Sequence, residues 1–167
     1  MDPTGIWIVD YSDVVTEERL EIVAVDSLGK VGQPVSKLFE ANTSGRLDIG
    51  QDIGQRNWYA RVIQRLDPRN YRWHVHLEWY ESFCSLIFMD EYASEYRAMD
   101  PEFDGNAVDE RIRSMISHGD LKSHPVEEYM TANRAHDAMC EYWETLERPE
   151  WLHCKHCLLY TSPSPRD

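Results

Sequence analysis

Between Tyr71 and Trp79 the chain alternates strictly: Trp73, Val75, Leu77 and Trp79 fall on one side, and His74, His76 and Glu78 on the other. Period-two patterning places successive side chains on opposite faces of an extended backbone, so this run is expected to be a half-buried strand and not a helix. Its neighbours read the same way. Trp58 to Leu66 and Ser85 to Met89 are rich in β-branched and aromatic residues, and they flank it through a turn at Asp67-Pro68-Arg69-Asn70 and a bend at Tyr80-Glu81-Ser82. Proline presets its own φ for such a turn. A three-strand unit from Asn57 to Met89 is therefore the expected centre of the fold.

Around it, Ile6 to Tyr11 and Leu20 to Val25 are expected strands, and Val35 to Phe39 another after the breakers Gly29, Gly32 and Pro34. Glu40 to Arg56 is polar and carries Asp-Ile-Gly-Gln twice, at Asp48 and at Asp52, and is expected to be a long loop. After Met89 the pattern turns helical. Short helices are expected from Asp90 or Glu91 to Met99 and from Ala107 to Ser117. A longer one is expected from Ser123 to about Leu146, with Val126, Met130, Met139, Trp143 and Leu146 as its apolar stripe. Strands followed by helices give an α+β class.

The chain has 17 Lys and Arg against 30 Asp and Glu, a net charge of −13. Such a surface repels a phosphate backbone, so direct nucleic-acid binding is not expected, while Lys- and Arg-rich partners are attracted. No apolar run approaches the ~20 residues of a membrane span, and no membrane association is expected. Cys84, Cys140 and Cys154 lack the spacing of a disulfide framework, which points to a reducing compartment, nuclear or cytoplasmic.

Histidines and acids are the candidates for chemistry. His74, His76 and Glu78 project from one side of one strand and, with a later histidine such as His118, His124 or His136, would form a two-histidine, one-carboxylate iron site or a hydrolytic zinc site. This metal-enzyme reading is the alternative to a binding role. His74-x-His76 followed by Glu81 matches half of the cupin pattern, and His76-x-Glu78 half of the zinc-deaminase pattern; the other halves are missing. Asp10, Asp13 and Asp26 lie near strand ends without a phosphate loop or nucleophile beside them. Asp100, Glu102, Asp104 and Gly105 resemble the start of a calcium-binding EF-hand loop, but Arg111 stands where the bidentate glutamate belongs.

Trp58-Tyr59-Ala60-Arg61-Val62, with Val75-His76-Leu77-Glu78-Trp79-Tyr80-Glu81-Ser82 and Val31-Gly32-Gln33-Pro34-Val35-Ser36-Lys37-Leu38-Phe39, resembles the first strands of a Tudor-like domain. That family is the small SH3-like barrel of chromatin and RNA-processing proteins. The resemblance implies a barrel over 29–98 with the loop 40–56 inside it, preceded by a strand pair at 1–28 and followed by a helical segment at 99–156. It also implies a non-catalytic reader of basic peptide tails carrying methyl-lysine or methyl-arginine, needing no cofactor. Phe39, Trp58 and Tyr80 would be the aromatic walls, Ser82 the hydrogen-bonding position and Glu78 a source of charge complementarity. Leu77 and Glu81 depart from the family pattern, where an aromatic and a glycine are usual. A third reading is a scaffold domain whose helices recruit a partner.

Cys157 to Asp167 resembles a translated sequencing adapter and is set aside from fold reasoning. Its removal takes one Arg and one Asp and leaves the net charge unchanged. The native chain is expected to continue past His156, and Cys154-Lys-His-Cys157 is not expected to be a zinc knuckle.

Overall fold

The computed structural model of the chain describes residues 5–14, 16, 18–52, 71–90, 92, 94–116 and 125–157. Eight strands form one sheet: β1 Trp7–Ser12, β2 Arg19–Val25, β3 Ser44–Asp52, β4 Tyr71–Tyr80, β5 Phe83–Met89, β6 Glu95–Met99, β7 Met130–Thr131 and β8 His153–Cys157. The helices are α1 Gly32–Ala41, α2 Glu110–Ile116 and α3 Ala132–Thr145. The strand order is β2-β1-β3-β4-β5-β6-β8, with β7 pairing β5 beside β6, and every pair is antiparallel. The class is α+β. The path is open, with β2 and β8 at its ends, and the described strands do not close on themselves as a small barrel would.

One face of the sheet is covered by α1 and α3. Alternate residues of each central strand enter this core: Trp7, Val9 and Tyr11, then Leu47 and Ile49, Val75, Leu77 and Trp79, and Leu86 and Phe88. They meet Val35 and Leu38 of α1, and Ala135, Ala138, Met139, Tyr142 and Trp143 of α3. On the second face, among the described residues, Ile112 and Ile116 of α2 pack near the β4–β5 turn with Val108, Tyr129, Tyr80 and Phe83.

Four expectations are corrected. Val35 to Phe39 lies in α1, because Val31, Val35 and Leu38 are buried at helical spacing and bring one stripe onto the sheet. The expected loop 40–56 contains β3, in which Leu47 and Ile49 are buried and alternate with Arg46 and Asp48. Glycines conceal this strand in the sequence, and each is there for space. A Cβ on Gly45 would run into the rings of Tyr11 and Trp79, and one on Gly50 would lie 2.7 Å from the Arg72 carbonyl oxygen. Glu95 to Met99, expected within a helix, is β6: pairing to β5 and β8 on its two edges outweighs a weak helical propensity. Finally, α3 starts at Ala132 and not near Ser123. Met130 and Thr131 pair with Cys84 and Phe83, and the Thr131 hydroxyl then caps the helix by accepting from the Arg134 N–H.

The strand expected at Trp58 to Leu66 lies outside the described residues. β1 and β2, expected at the chain start, are the flank of the same sheet, with β1 hydrogen-bonded to both β2 and β3. The acidic loop after β6 is used internally. Asp100 is buried and accepts from Arg134 Nε at 2.8 Å and Nη2 at 3.3 Å, while the Asp104 carboxylate accepts from the Asn106 backbone N–H. Arg134 also stacks on Trp151, its guanidinium carbon 3.9 Å from the ring centroid. Arg134→Lys keeps the charge but loses the fork and the stacking. It is expected to lower stability by about 1–2 kcal/mol, measured by urea unfolding.

Candidate functional site

The second face carries one transverse row of facing residues fixed by the register. Ile22, Asp10, Asp48, His76, Ile87, Arg97 and Lys155 are successive partners across β2, β1, β3, β4, β5, β6 and β8. Side chains directly opposite one another on adjacent strands lie close enough to interact. Around the middle of this row is a cavity of about 600 Å³, to which Asp10, Arg19, Arg46, Asp48, Trp73, His76 and Glu95 contribute.

His76 is the hub. Its Nδ1 lies 2.7 Å from Asp48 Oδ1 and its Nε2 3.3 Å from Glu78 Oε1. Burial by itself opposes a charge here, but the two carboxylates outweigh it and hold the imidazole protonated up to about 9. Asp48 is likewise desolvated, and the hydrogen bond from His76 and the Arg46 guanidinium still bring its carboxyl below the usual range. Arg46 Nε donates to Asp48 at 3.2 Å and its Nη1 lies 4.0 Å from Glu78. On the β1 side, Arg19 Nε donates to the buried Asp10 at 2.9 Å. The result is a charge network in which each of these acids has a cation beside it.

His74 is not part of it. β4 has a bulge opposite Ile49 and Gly50: Ile49 faces Val75 and Gly50 faces Trp73, so His74 is an extra residue. The bulge reverses the alternation below it. His74 is fully buried under the helices, 5.0 Å from the Trp7 ring and 3.4 Å from the Tyr142 hydroxyl, and burial with the nearby Arg72 lowers its pKa to about 4. Trp73 instead lines the cavity with His76. The expected set of His74, His76 and Glu78 is thus split between opposite faces. Among the described residues no three His, Cys, Asp or Glu side chains are grouped to hold a metal ion. His136, a candidate fourth ligand, bonds to Ser36 at 2.9 Å between the two helices, and His118 and His124 lie outside the described residues.

The expected aromatic walls are not brought together either. Phe39 belongs to α1 and packs on Trp79 with ring centroids 4.9 Å apart, on the helix-covered face. Tyr80 is on the second face, under the guanidinium of Arg111 at 5.4 Å. Trp58 lies outside the described residues. Ser82 is exposed in the β4–β5 turn, where its carbonyl accepts from the Ala132 N–H at 2.8 Å, and Glu78 is buried in the His76 network. Glu81 in that turn adopts φ 56°, the conformation glycine favours.

Sequence reasoning identified His76 and Glu78, took Asp10 only as an isolated acid near a strand end, and missed Asp48, Arg46 and Arg19. The signal available was the alternation Arg46-Leu47-Asp48-Ile49, read as loop because of the neighbouring glycines. The cysteines are all free thiols, and no helix among the described residues is long and apolar enough to cross a membrane. No family model, curated protein or solved structure matches the chain.

Proposed function

We propose that this chain is a non-catalytic binding module for a basic segment of a partner protein in a nuclear or cytoplasmic setting. The observation that carries the reading is the state of His76. Held between Asp48 and Glu78, the imidazole is already protonated at neutral pH, so His76 contributes a fixed charge to the cavity and is not its general base. Glu95 and Trp73 line the same cavity, an acid and a π face of the kind that suits a cationic side chain. The net charge of −13 attracts such a partner from a distance. Methylated lysine or arginine belongs to the same ligand class, and preference for it is the part of the proposal that rests on the Tudor-like resemblance, as does the SH3-like kinship.

The test is a calorimetric titration of the intact chain with a Lys- and Arg-rich peptide, unmodified and trimethylated, and with a counterpart in which the cations are replaced by Glu. Saturable binding of the basic peptide that weakens as salt rises is the expected result. Equal binding of the acidic counterpart, or none of either, removes the proposal. A methyl preference separates a reader of marks from a reader of charge.

A further inference from the structure

A second cavity, of about 530 Å³, opens on the other side of the sheet where α3 ends. Phe88, Tyr96 and Tyr142 supply aromatic surface to it, and Asp90, Glu147 and Glu150 supply acids. The rings of Phe88 and Tyr142 meet at 5.0 Å. Tyr96 donates its hydroxyl to Asp90 at 3.3 Å, which fixes the ring, and also meets the ring of His156 at 5.0 Å.

A cation already sits in this cavity. The guanidinium carbon of the exposed Arg148 lies 3.8 Å from the centroid of the Tyr96 ring. Among the described residues no hydrogen bond or ion pair is made by that guanidinium or by the carboxylates of Glu147 and Glu150, the acids that flank it in sequence. The ring face is therefore what holds it. A guanidinium is planar and weakly hydrated and stacks well on a ring, and the attraction grows when water is excluded. The electrostatics agree: α3 runs for 14 residues and its negative end is at Leu146, which lines the cavity.

We propose that this cavity is an arginine subsite, in which the guanidinium of an arginine on the partner's basic segment takes the Tyr96 face and displaces Arg148. Arg148 is then an internal stand-in, covering the ring when no partner is bound. The inference rests on the reading of the chain as a module for basic segments and adds which side chain is selected and where. It places the selecting site at the end of α3, on residues that no motif in the sequence singles out.

The displacement makes a prediction of unusual sign. Removing a surface cation from the chain should tighten binding, because the incoming guanidinium no longer competes with an internal one. The probe is a Gly-Ser peptide carrying three arginines, with a control in which each is citrulline, of the same shape but uncharged, titrated calorimetrically into the intact chain. Arg148→Ala is expected to raise affinity for the arginine peptide by about threefold to fivefold, the worth of one exposed cation–π contact. Tyr96→Leu is expected to lower it by at least about threefold, and Tyr96→Phe, which keeps the ring, to leave it close to wild type. The citrulline peptide should not bind. If the arginine peptide binds but neither Arg148→Ala nor Tyr96→Leu changes its affinity, the subsite is overturned while the basic-segment reading stands. If the peptide binds neither the wild type nor Arg148→Ala, both fall. Should Tyr96→Leu fail to fold, Arg148→Ala decides alone, since Arg148 is exposed and its removal leaves the core untouched.

Discussion

Trp79→Ala is expected to lower the unfolding free energy by about 3–5 kcal/mol, a large part of the ~5–15 kcal/mol that holds a domain of this size. Trp79 is 1% exposed and is the point where three elements meet. Its ring stacks on Tyr11 of β1 at 5.8 Å and on Phe39 of α1 at 4.9 Å, it lies over Gly45 of β3, and its Nε1 donates to the Asn42 carbonyl at 3.2 Å. Truncation therefore opens a cavity and also removes the surface on which α1 docks. Equilibrium urea unfolding followed by circular dichroism measures this. Trp79→Phe, which retains a ring, should cost clearly less. A change below about 1 kcal/mol for the alanine variant would mean that the core is not organised around this ring.

Stability is expected to fall as the pH rises from about 6 to 9.5, and His76 is the cause. In the unfolded chain the imidazole titrates near 6.5, whereas in the folded protein it stays protonated up to about 9. Below the lower value both states carry the proton and the stabilisation by Asp48 and Glu78 is fully present. Between the two values only the folded state holds the proton, so each step upward in pH costs stability, and above the folded value the contribution is gone. The size is on the order of 3 kcal/mol. The check is a comparison of the wild type with His76→Gln by urea unfolding across this range. The variant should be less stable than the wild type by that order at pH 6, and the gap should close towards pH 9.5. A gap that stays constant with pH would show that His76 acts through packing and not through its charge. Asp48 works in the opposite sense: with its carboxyl held low, its contribution is present above the ordinary carboxylate range and is lost as the pH falls through its folded value.

What the sequence determined alone was what depends on near neighbours along the chain. The alternation from Val75 to Trp79 gave β4, and the spacing of Ile112 and Ile116 and of Met139 and Trp143 gave α2 and the body of α3. The same alternation put His76 and Glu78 on a common face, where the structure has them. The charge balance, a net −13, is likewise a property of composition. Tertiary structure decided the rest. Val35 to Phe39 is helix because its apolar stripe has a sheet to cover, and Glu95 to Met99 is strand because β5 and β8 offer partners on both edges. Ser44 to Asp52 is strand because Gly45 and Gly50 yield space to Tyr11, Trp79 and Trp73, rings that come from distant parts of the chain. One extra residue in β4 sends His74 into the core and Trp73 to the cavity, and so replaces the histidine pair read from the sequence with a single histidine between Asp48 and Glu78. Periodicity is set by the backbone of each segment, but register and the face that helices cover are set by pairing between segments, and a shift of one residue there exchanges the faces of a strand.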